Sequence, residues 1–343
     1  MVERADDMVV PESVLPVRWL RRPGRWRWGK DAQGRSTWAR GRVLAAVAVS
    51  TAGLLAFHSA VPDSVGHPGS LVEAFLPWLG LAVPVILLLA LLRRSATALA
   101  VLLLPTAVWT QLFGGVLLPR DPGAPDLTVL QHNVSDENAD PAGTARALVD
   151  AGPQLIALEE LTPSALPRFE AALAGAYAYH AVRGTVGLWS KYPLTDARPV
   201  DIKPRGITEE WSRGLRAGAR TPWGEIAVYV AHLPSVRVRP TGFDCAFRNE
   251  SAGLLGAALA AETTDRVILL GDLNATVDDR GLAPITAHLT LPPRDLAFSW
   301  PAAFPVSRID QILTRSAAIT AIRALPATAS DHLPVTAGIT FTP

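Results

Sequence analysis

The chain has 343 residues, a formal net charge of +1 and a single cysteine, Cys245. That length allows two or three folding units on a prior of about 150 residues each. Near-neutral charge gives no bulk attraction to nucleic acid, and one thiol excludes an intrachain disulfide framework and any multi-cysteine metal centre.

Residues 1–42 form a basic segment with ten Lys and Arg. In RWLRRPGRWRWGK three Trp interleave with the charges, a composition that suits anionic lipid head groups beside a membrane segment. Residues 43–118 hold three apolar stretches: Val43 to Val61, Leu71 to Leu92 and Ala96 to Leu118. Each approaches the roughly 20 residues that cross a bilayer as a helix, so three transmembrane helices are expected. Pro77, Pro84 and Pro105 are tolerated in such helices, and Glu73 falls at an end where the interface hydrates it.

The connection PDSVGHPGS carries no Lys or Arg, whereas Arg93 and Arg94 follow the second stretch. Basic flanks stay cytoplasmic, which puts the N-terminus inside and everything after Leu118 outside. A cleaved signal peptide is the competing reading of the first stretch, but its basic preamble of about 40 residues is long for one. A multi-pass plasma-membrane protein with an extracytoplasmic domain is expected. Residues 119–126, with PRDPGAP, form a breaker-rich linker too short to let that domain roam.

Residues 127–343 alternate short apolar strands with helical segments. LTVLQHNV, QLIALEEL, TVGLWSKYPL, EIAVYVAHL, RVILLGDLN, RIDQILTR and LPVTAGITF read as strands; GTARALVDAG, SALPRFEAALAG and RNESAGLLGAALAAE have helical spacing. No repeat of about 20 to 50 residues appears, which excludes a solenoid. The mixture predicts one α/β or α+β domain, two sheets covered by helices.

Polar residues close these strands: Asn133 in LTVLQHN, Glu160 in QLIALEE, His232 in IAVYVAH, Asp272 and Asn274 in VILLGDLN. Asp331 and His332 stand just before the last strand. Each alone reads as a turn former, a surface acid or a core imidazole. Strand ends of a sheet converge in space, however, and that rim is where such folds keep ligands. Carboxylates suit a hard cation such as Mg²⁺, and imidazole, acid and amide groups suit phosphoryl transfer to water. There is no HExxH zinc motif, no Gly-rich phosphate loop and no GxSxG elbow.

The ordered set QHNV, ALEEL, LWSKYPL, VAHL, GDLNA, SRIDQIL and SDHLPV resembles the endonuclease/exonuclease/phosphatase superfamily, over the whole of residues 127–343. The resemblance implies an α+β, four-layer, deoxyribonuclease-like fold: a two-sheet β-sandwich flanked by helices, here preceded by the three transmembrane helices. It implies Mg²⁺ or Mn²⁺ as cofactor, with Glu160, Asn133 and Asp331 at the metal. It gives Asp272 and Asn274 the positioning of the attacking water and a phosphate oxygen, His332 contact with the scissile phosphate, Asp310 the orientation of His332, and His232 the second catalytic imidazole. Which histidine is acid and which is base stays open. Abasic-site nucleases carry an acid two positions after the Asn, where this chain has Ser135. Glu159 stands where many relatives have Gln and is read as a neighbour of the site.

Arginines recur in two expected loops, PRGITEEWSRGLRAGAR and PSVRVRPTGFDCAFR, with Trp211, Phe243 and Phe247 among them. Arg213, Arg216 and Arg248 are candidates for holding substrate phosphate. Three spans ahead of such a domain resemble the VanJ type of membrane protein associated with teicoplanin resistance, which implies removal of phosphate from undecaprenyl pyrophosphate. The expected partners are the lipid bilayer and a phosphorylated lipid; no protein partner is implied. A membrane-tethered nuclease acting on extracellular nucleic acid and a non-catalytic lipid sensor are the alternatives.

Overall fold

The computed structural model describes residues 34, 36–117 and 123–341. The RWLRRPGRWRWGK segment, Leu118 at the end of the third apolar stretch and residues 119–122 of the expected linker lie outside the described residues.

Among the described residues, two apolar helical segments are long enough to cross a membrane, Leu76–Arg93 with 18 residues and Ala96–Val116 with 21. In their most apolar 18-residue windows only 17 % and 22 % is buried. Arg93–Ser95 turns between them: Arg94 adopts φ 51°, and the Ser95 hydroxyl caps the next helix by accepting from Ala98 N–H. The expected third span is corrected. The first stretch forms a helix only over Arg42–Ala56, 15 residues or about 22 Å, short of a hydrocarbon core of about 30 Å. The second stretch also starts late, because Leu71 to Ala74 belong to a separate short helix, Pro68–Ala74.

Two sheets make up the rest. One has six strands in the order Ala317–Ala324, Val335–Phe341, Leu127–Asn133, Leu155–Glu159, Val186–Ser190 and Tyr179–Arg183. The other has five, ordered Asp310–Arg315, Val267–Asp272, Gly224–Ala231, Gly214–Thr221 and Leu194–Pro199. A separate hairpin joins Arg237–Arg239 to Gly242–Asp244.

Side-chain alternation explains the layers. Leu127, Val129, Leu155 and Ala157 meet Val228, Val230, Ile268 and Leu270 between the sheets. Leu130, Ile156 and Leu158 point the other way, against the helices Pro141–Asp150 and Leu166–Leu173. Ala227, Tyr229, Val267 and Leu269 pack on the helix Ala246–Ala260. Strands buried on both faces read as continuous apolar runs, as these do. The result is a mixed two-sheet sandwich flanked by helices.

One expected loop is a strand. In GLRAGART, Leu215, Ala217 and Ala219 point into the inter-sheet core while Arg216 faces away, a period of two that glycine and arginine disguise. The run TVGLWSKYPL divides between two strands that belong to different sheets.

Candidate active site

Strands Leu127–Asn133 and Leu155–Glu159 are parallel, with Asn133 opposite Glu159, so they deliver their C-terminal residues to one rim. Gln131, Asn133 and Glu159 continue the alternate rows that line the inter-sheet core. Glu160 then adopts φ 60°. A left-handed non-glycine residue costs on the order of 1–3 kcal/mol, and here it breaks the alternation so that the carboxylate reaches the cleft. Asp136 N–H donates to its Oε2 at 3.1 Å. Ser135 and Asn274 also have positive φ, 64° and 49°, so three strand-end turns around the cleft share this conformation.

The second sheet supplies the opposite wall. Gly224–Ala231 and Val267–Asp272 are parallel and bring His232 and Asp272 forward together. Asp310 opens the neighbouring antiparallel strand directly across from Asp272. His332 arrives from the loop before Val335–Phe341, its backbone N–H held by Ser330 Oγ at 3.0 Å.

These groups form one network. The Nδ1 of His332 lies 2.8 Å from Asp310 Oδ2. Gln131 Nε2 donates to Asp310 Oδ1 and to Glu159 Oε2, both at 2.8 Å. Asn133 Nδ2 donates to Glu160 Oε1 at 3.0 Å and to Asp272 Oδ2 at 3.1 Å. Asn274 donates its backbone N–H to Asp272 Oδ1 and its side-chain amide to the Leu233 carbonyl, both at 2.9 Å. Asp272 Oδ2 is the centre: His232 Nε2 and His332 Nε2 each lie 3.8 Å from it, and His232 Nε2 lies 3.7 Å from Glu160 Oε1.

Burial drives the charge states apart. It pushes Asp272 up to about 7 despite the pull of His332, and Asp310 adds to the push. Burial also opposes charge on His332, but Asp310 and Asp272 outweigh it and hold this imidazole up to about 10. Asp310 is drawn below its ordinary value because His332 overcomes the effect of burial. His232 is kept well below the ordinary imidazole value by burial and then by Arg213. Two histidines in one cleft therefore hold opposite charge states at neutral pH.

The donor set fits a hard divalent cation. Glu160 and Asp272 face a cleft in which the nearest imidazole nitrogens stand beyond hydrogen-bond distance, leaving carboxylate oxygens of the type Mg²⁺ prefers. Asp272, Asp310 and His332 also offer ligand atoms within 4.8 Å of one another. His332 and Asp310 pair with each other at 2.8 Å, whereas Glu160 and Asp272 are the other two acids joined through Asn133 at the same wall.

The cleft, of about 560 Å³, is lined by Glu160, Arg213, His232, Asp272, Asn274, Asp331 and His332. Asn133 and Asp310 stand directly behind it, in contact with Asp272 and His332 respectively. Arg213 is the one candidate arginine that the cleft gains; its Nη1 lies 3.3 Å from His232 Nδ1. Arg216 points to the outer face of its strand, where it pairs with Glu262 at 3.0 Å and Asp196 at 2.9 Å. Arg248 is wholly buried on its helix, its Nη2 2.7 Å from Asp279 Oδ2. Neither is placed to meet a substrate in the cleft.

Sequence reading missed Gln131, which bridges two buried carboxyls; its place two residues before Asn133, on the same strand face, was the available signal. It also missed Ala74 and Phe75, which line the cleft from the segment ahead of the first long apolar helix. Glu73, expected at a hydrated interface, is 1 % exposed and bound by Arg280.

Solved structures with this architecture include a variant beta toxin from Staphylococcus aureus with bound magnesium ions, at 14 % identity and TM-score 0.52, covering 62 % of this chain and 99 % of that one. An endonuclease/exonuclease/phosphatase from Bacteroides vulgatus is 14 % identical with TM-score 0.52, covering 63 % and 99 %. A mannosyl-6-phosphatase from Bacteroides thetaiotaomicron is 16 % identical with TM-score 0.51, covering 63 % and 100 %. At these identities the likeness shows the fold. No curated protein sequence matches the chain. Residues 130–332, the span from the first strand to the imidazole paired with Asp310, match the endonuclease/exonuclease/phosphatase family, and on that match the chain belongs to it.

Proposed function

We propose that the protein is a membrane-anchored phosphoesterase, dependent on Mg²⁺ or Mn²⁺, that works outside the cytoplasm on a lipid pyrophosphate such as undecaprenyl pyrophosphate. Its biological setting would be resistance to teicoplanin-type antibiotics of the cell wall. The observation that carries the reading is the shared wall of the cleft: Glu160, His232, Asp272 and His332 face the same space as Ala74 and Phe75, which lead into an apolar helix long enough to span a membrane. The basic residues before Val43, against none in PDSVGHPGS, support a cytoplasmic N-terminus.

Glu160 and Asp272 would hold the cation, with Asp331 at the rim and Asn133 fixing both carboxylates. The ion supplies charge neutralisation at the phosphate and acidifies water. The chain's own groups do the rest. His332, held protonated and in one orientation by Asp310, stabilises charge on the phosphate oxygens; His232 stands uncharged beside Glu160 and Asp272, its basicity lowered by burial and Arg213. Arg213 adds a cation at the same wall, and Asn274 fixes the orientation of Asp272. The magnesium-bound toxin and the mannosyl-6-phosphatase are consistent with this reaction class.

Phosphate release by the purified full chain, measured on prenyl pyrophosphates, nucleotides and sugar phosphates, tests the reading. Turnover is expected on the prenyl pyrophosphates and lost with EDTA. Cleavage of plasmid DNA without release of phosphate from any prenyl pyrophosphate would replace it with the nuclease reading. The absence of any metal-dependent turnover would leave the sensor.

A further inference from the structure

Beside the catalytic cleft lies a second hollow of about 410 Å³ with almost wholly apolar walls. It opens between the two long apolar helices, with Pro77, Leu81 and Val83 on one side and Trp109 on the other, and is closed toward the sandwich by Leu296 and Phe298. A small space of about 30 Å³ shares Ala74 and Thr276 with the cleft and Pro77 and Phe298 with the hollow. Within the hollow's wall Trp78 stacks on Phe298, ring centroids 5.4 Å apart.

The walls are fixed by hydrogen bonds. Trp78 Nε1 donates to the Val306 carbonyl at 2.7 Å, and Trp109 Nε1 donates to the Pro77 carbonyl at 3.0 Å. Gly80 allows the close approach of Trp109, since a side chain at Gly80 would run into the indole.

The two hollows are also held in register. Arg280 of the catalytic domain donates to both carboxylate oxygens of Glu73, with Nη2 at 2.8 Å from Oε1 and Nε at 2.9 Å from Oε2. The same guanidinium reaches the carbonyls of Val61 at 2.7 Å and His58 at 2.9 Å. Phe243 N–H donates to the Gly66 carbonyl at 2.8 Å, tying the small hairpin to the same segment.

A cleft rich in charged and polar groups, fixed against an apolar groove between membrane-length helices, matches an amphiphile with a phosphorylated head and a hydrocarbon tail. We propose that the groove at Trp78, Trp109 and Phe298 is the tail site: the first part of the substrate's single apolar chain lies there while its phosphates occupy the cleft. The proposal rests on the lipid-pyrophosphate reading and adds a chain-length requirement to it. Burying a few methylenes suffices for about a tenfold preference.

The test uses the full chain in detergent, with five-carbon, fifteen-carbon and eleven-isoprene pyrophosphates as probes. The expected result is kcat/KM rising about tenfold or more with chain length. Thr110→Trp, which fills the groove, is expected to remove most of that gain through KM and to change turnover of the five-carbon substrate less than about twofold. Leu89→Trp, on an exposed face outside the groove, should leave both rates unchanged. Equal kcat/KM at all three lengths would overturn the tail site while leaving the pyrophosphate reading intact. No turnover on any of the three would overturn both. A prenyl phosphate with a photoreactive group near the head end of its chain provides a second measurement that needs no hydrolysis. Labelling of residues 77–84 or 106–117 supports the site, and labelling confined to the sandwich overturns it.

Discussion

Asp310 Oδ2 and His332 Nδ1 are 2.8 Å apart, in a place where Asp310 is fully buried and His332 is 5 % exposed. A buried carboxylate is tolerated there because it has a charged partner and a second donor, Gln131 Nε2. The pair places one fixed positive charge at the cleft and turns the other ring nitrogen, Nε2, toward Asp272.

His332→Ala and Asp310→Asn are therefore each expected to lower kcat by about 10²- to 10⁴-fold with a small change in KM. The two act as one unit, so the double variant should be little worse than the poorer single one. Measuring kcat beside Tm decides the matter: additive rate losses, or lower Tm with normal rate per folded molecule, would reduce the pair to turn residues.

Glu160→Gln should remove most activity, because the cation would lose one of the few carboxylates that face the cleft. The Mg²⁺ concentration for half-maximal rate should rise at least about tenfold. Titration of the variant with Mg²⁺ and Mn²⁺ checks this, and full activity of the natural chain in excess EDTA would contradict the whole metal assignment.

Much of this site was legible because chemistry was written at strand ends. Asn133, Glu160, His232 and Asp272 each terminate an apolar run, and parallel neighbours bring such ends together. Pairing between sheets was not legible: nothing near Gln131 in sequence announces that its amide meets an acid 179 positions away. Arg216 misled because GLRAGART has the composition of a loop and the alternation of a strand. The membrane part misled in the other direction. Hydropathy marks apolar runs but not where helical geometry stops, so the break at Phe57 and the separate short helix before Leu76 shortened the first two of what read as three spans.

Glu159 carries a different consequence. Burial, then Asp310 and Asp272, push its carboxyl well above the ordinary value, so it resists ionisation at a position where the resemblance implies Gln in many relatives. A raised carboxyl value means that the folded state binds the proton more tightly than the unfolded one, and stability falls as pH rises above the unfolded value of about 4.3. Glu159→Gln removes that loss. Its Tm should match the natural chain near pH 4 and exceed it at pH 8, with kcat nearly unchanged. A lower Tm at pH 8 would show that the carboxyl contributes something an amide cannot.

Arg216 and Arg213, three residues apart, should separate cleanly. Arg213 lines the cleft, so Arg213→Ala is expected to lower kcat/KM with little change in Tm. Arg216 is enclosed with Glu262, whose side chain is 3 % exposed and also accepts from Tyr229 Oη at 2.9 Å and Thr264 N–H at 2.9 Å. Burial works to raise the Glu262 carboxyl, but Arg216 and these donors outweigh it and pull the value from 4.5 to about 2. A depressed carboxylate contributes stability that is present above its unfolded value and is lost as pH falls toward the folded one. Glu262→Gln should thus lower Tm at pH 7, and the gap from the natural chain should close between about pH 4.5 and pH 2. The rate per folded molecule should stay normal, because this cluster lies on the outer face of its sheet. A Glu262→Gln chain with natural Tm at pH 7, or one that folds normally and turns over slowly, would put this ion pair back among the groups that serve the substrate.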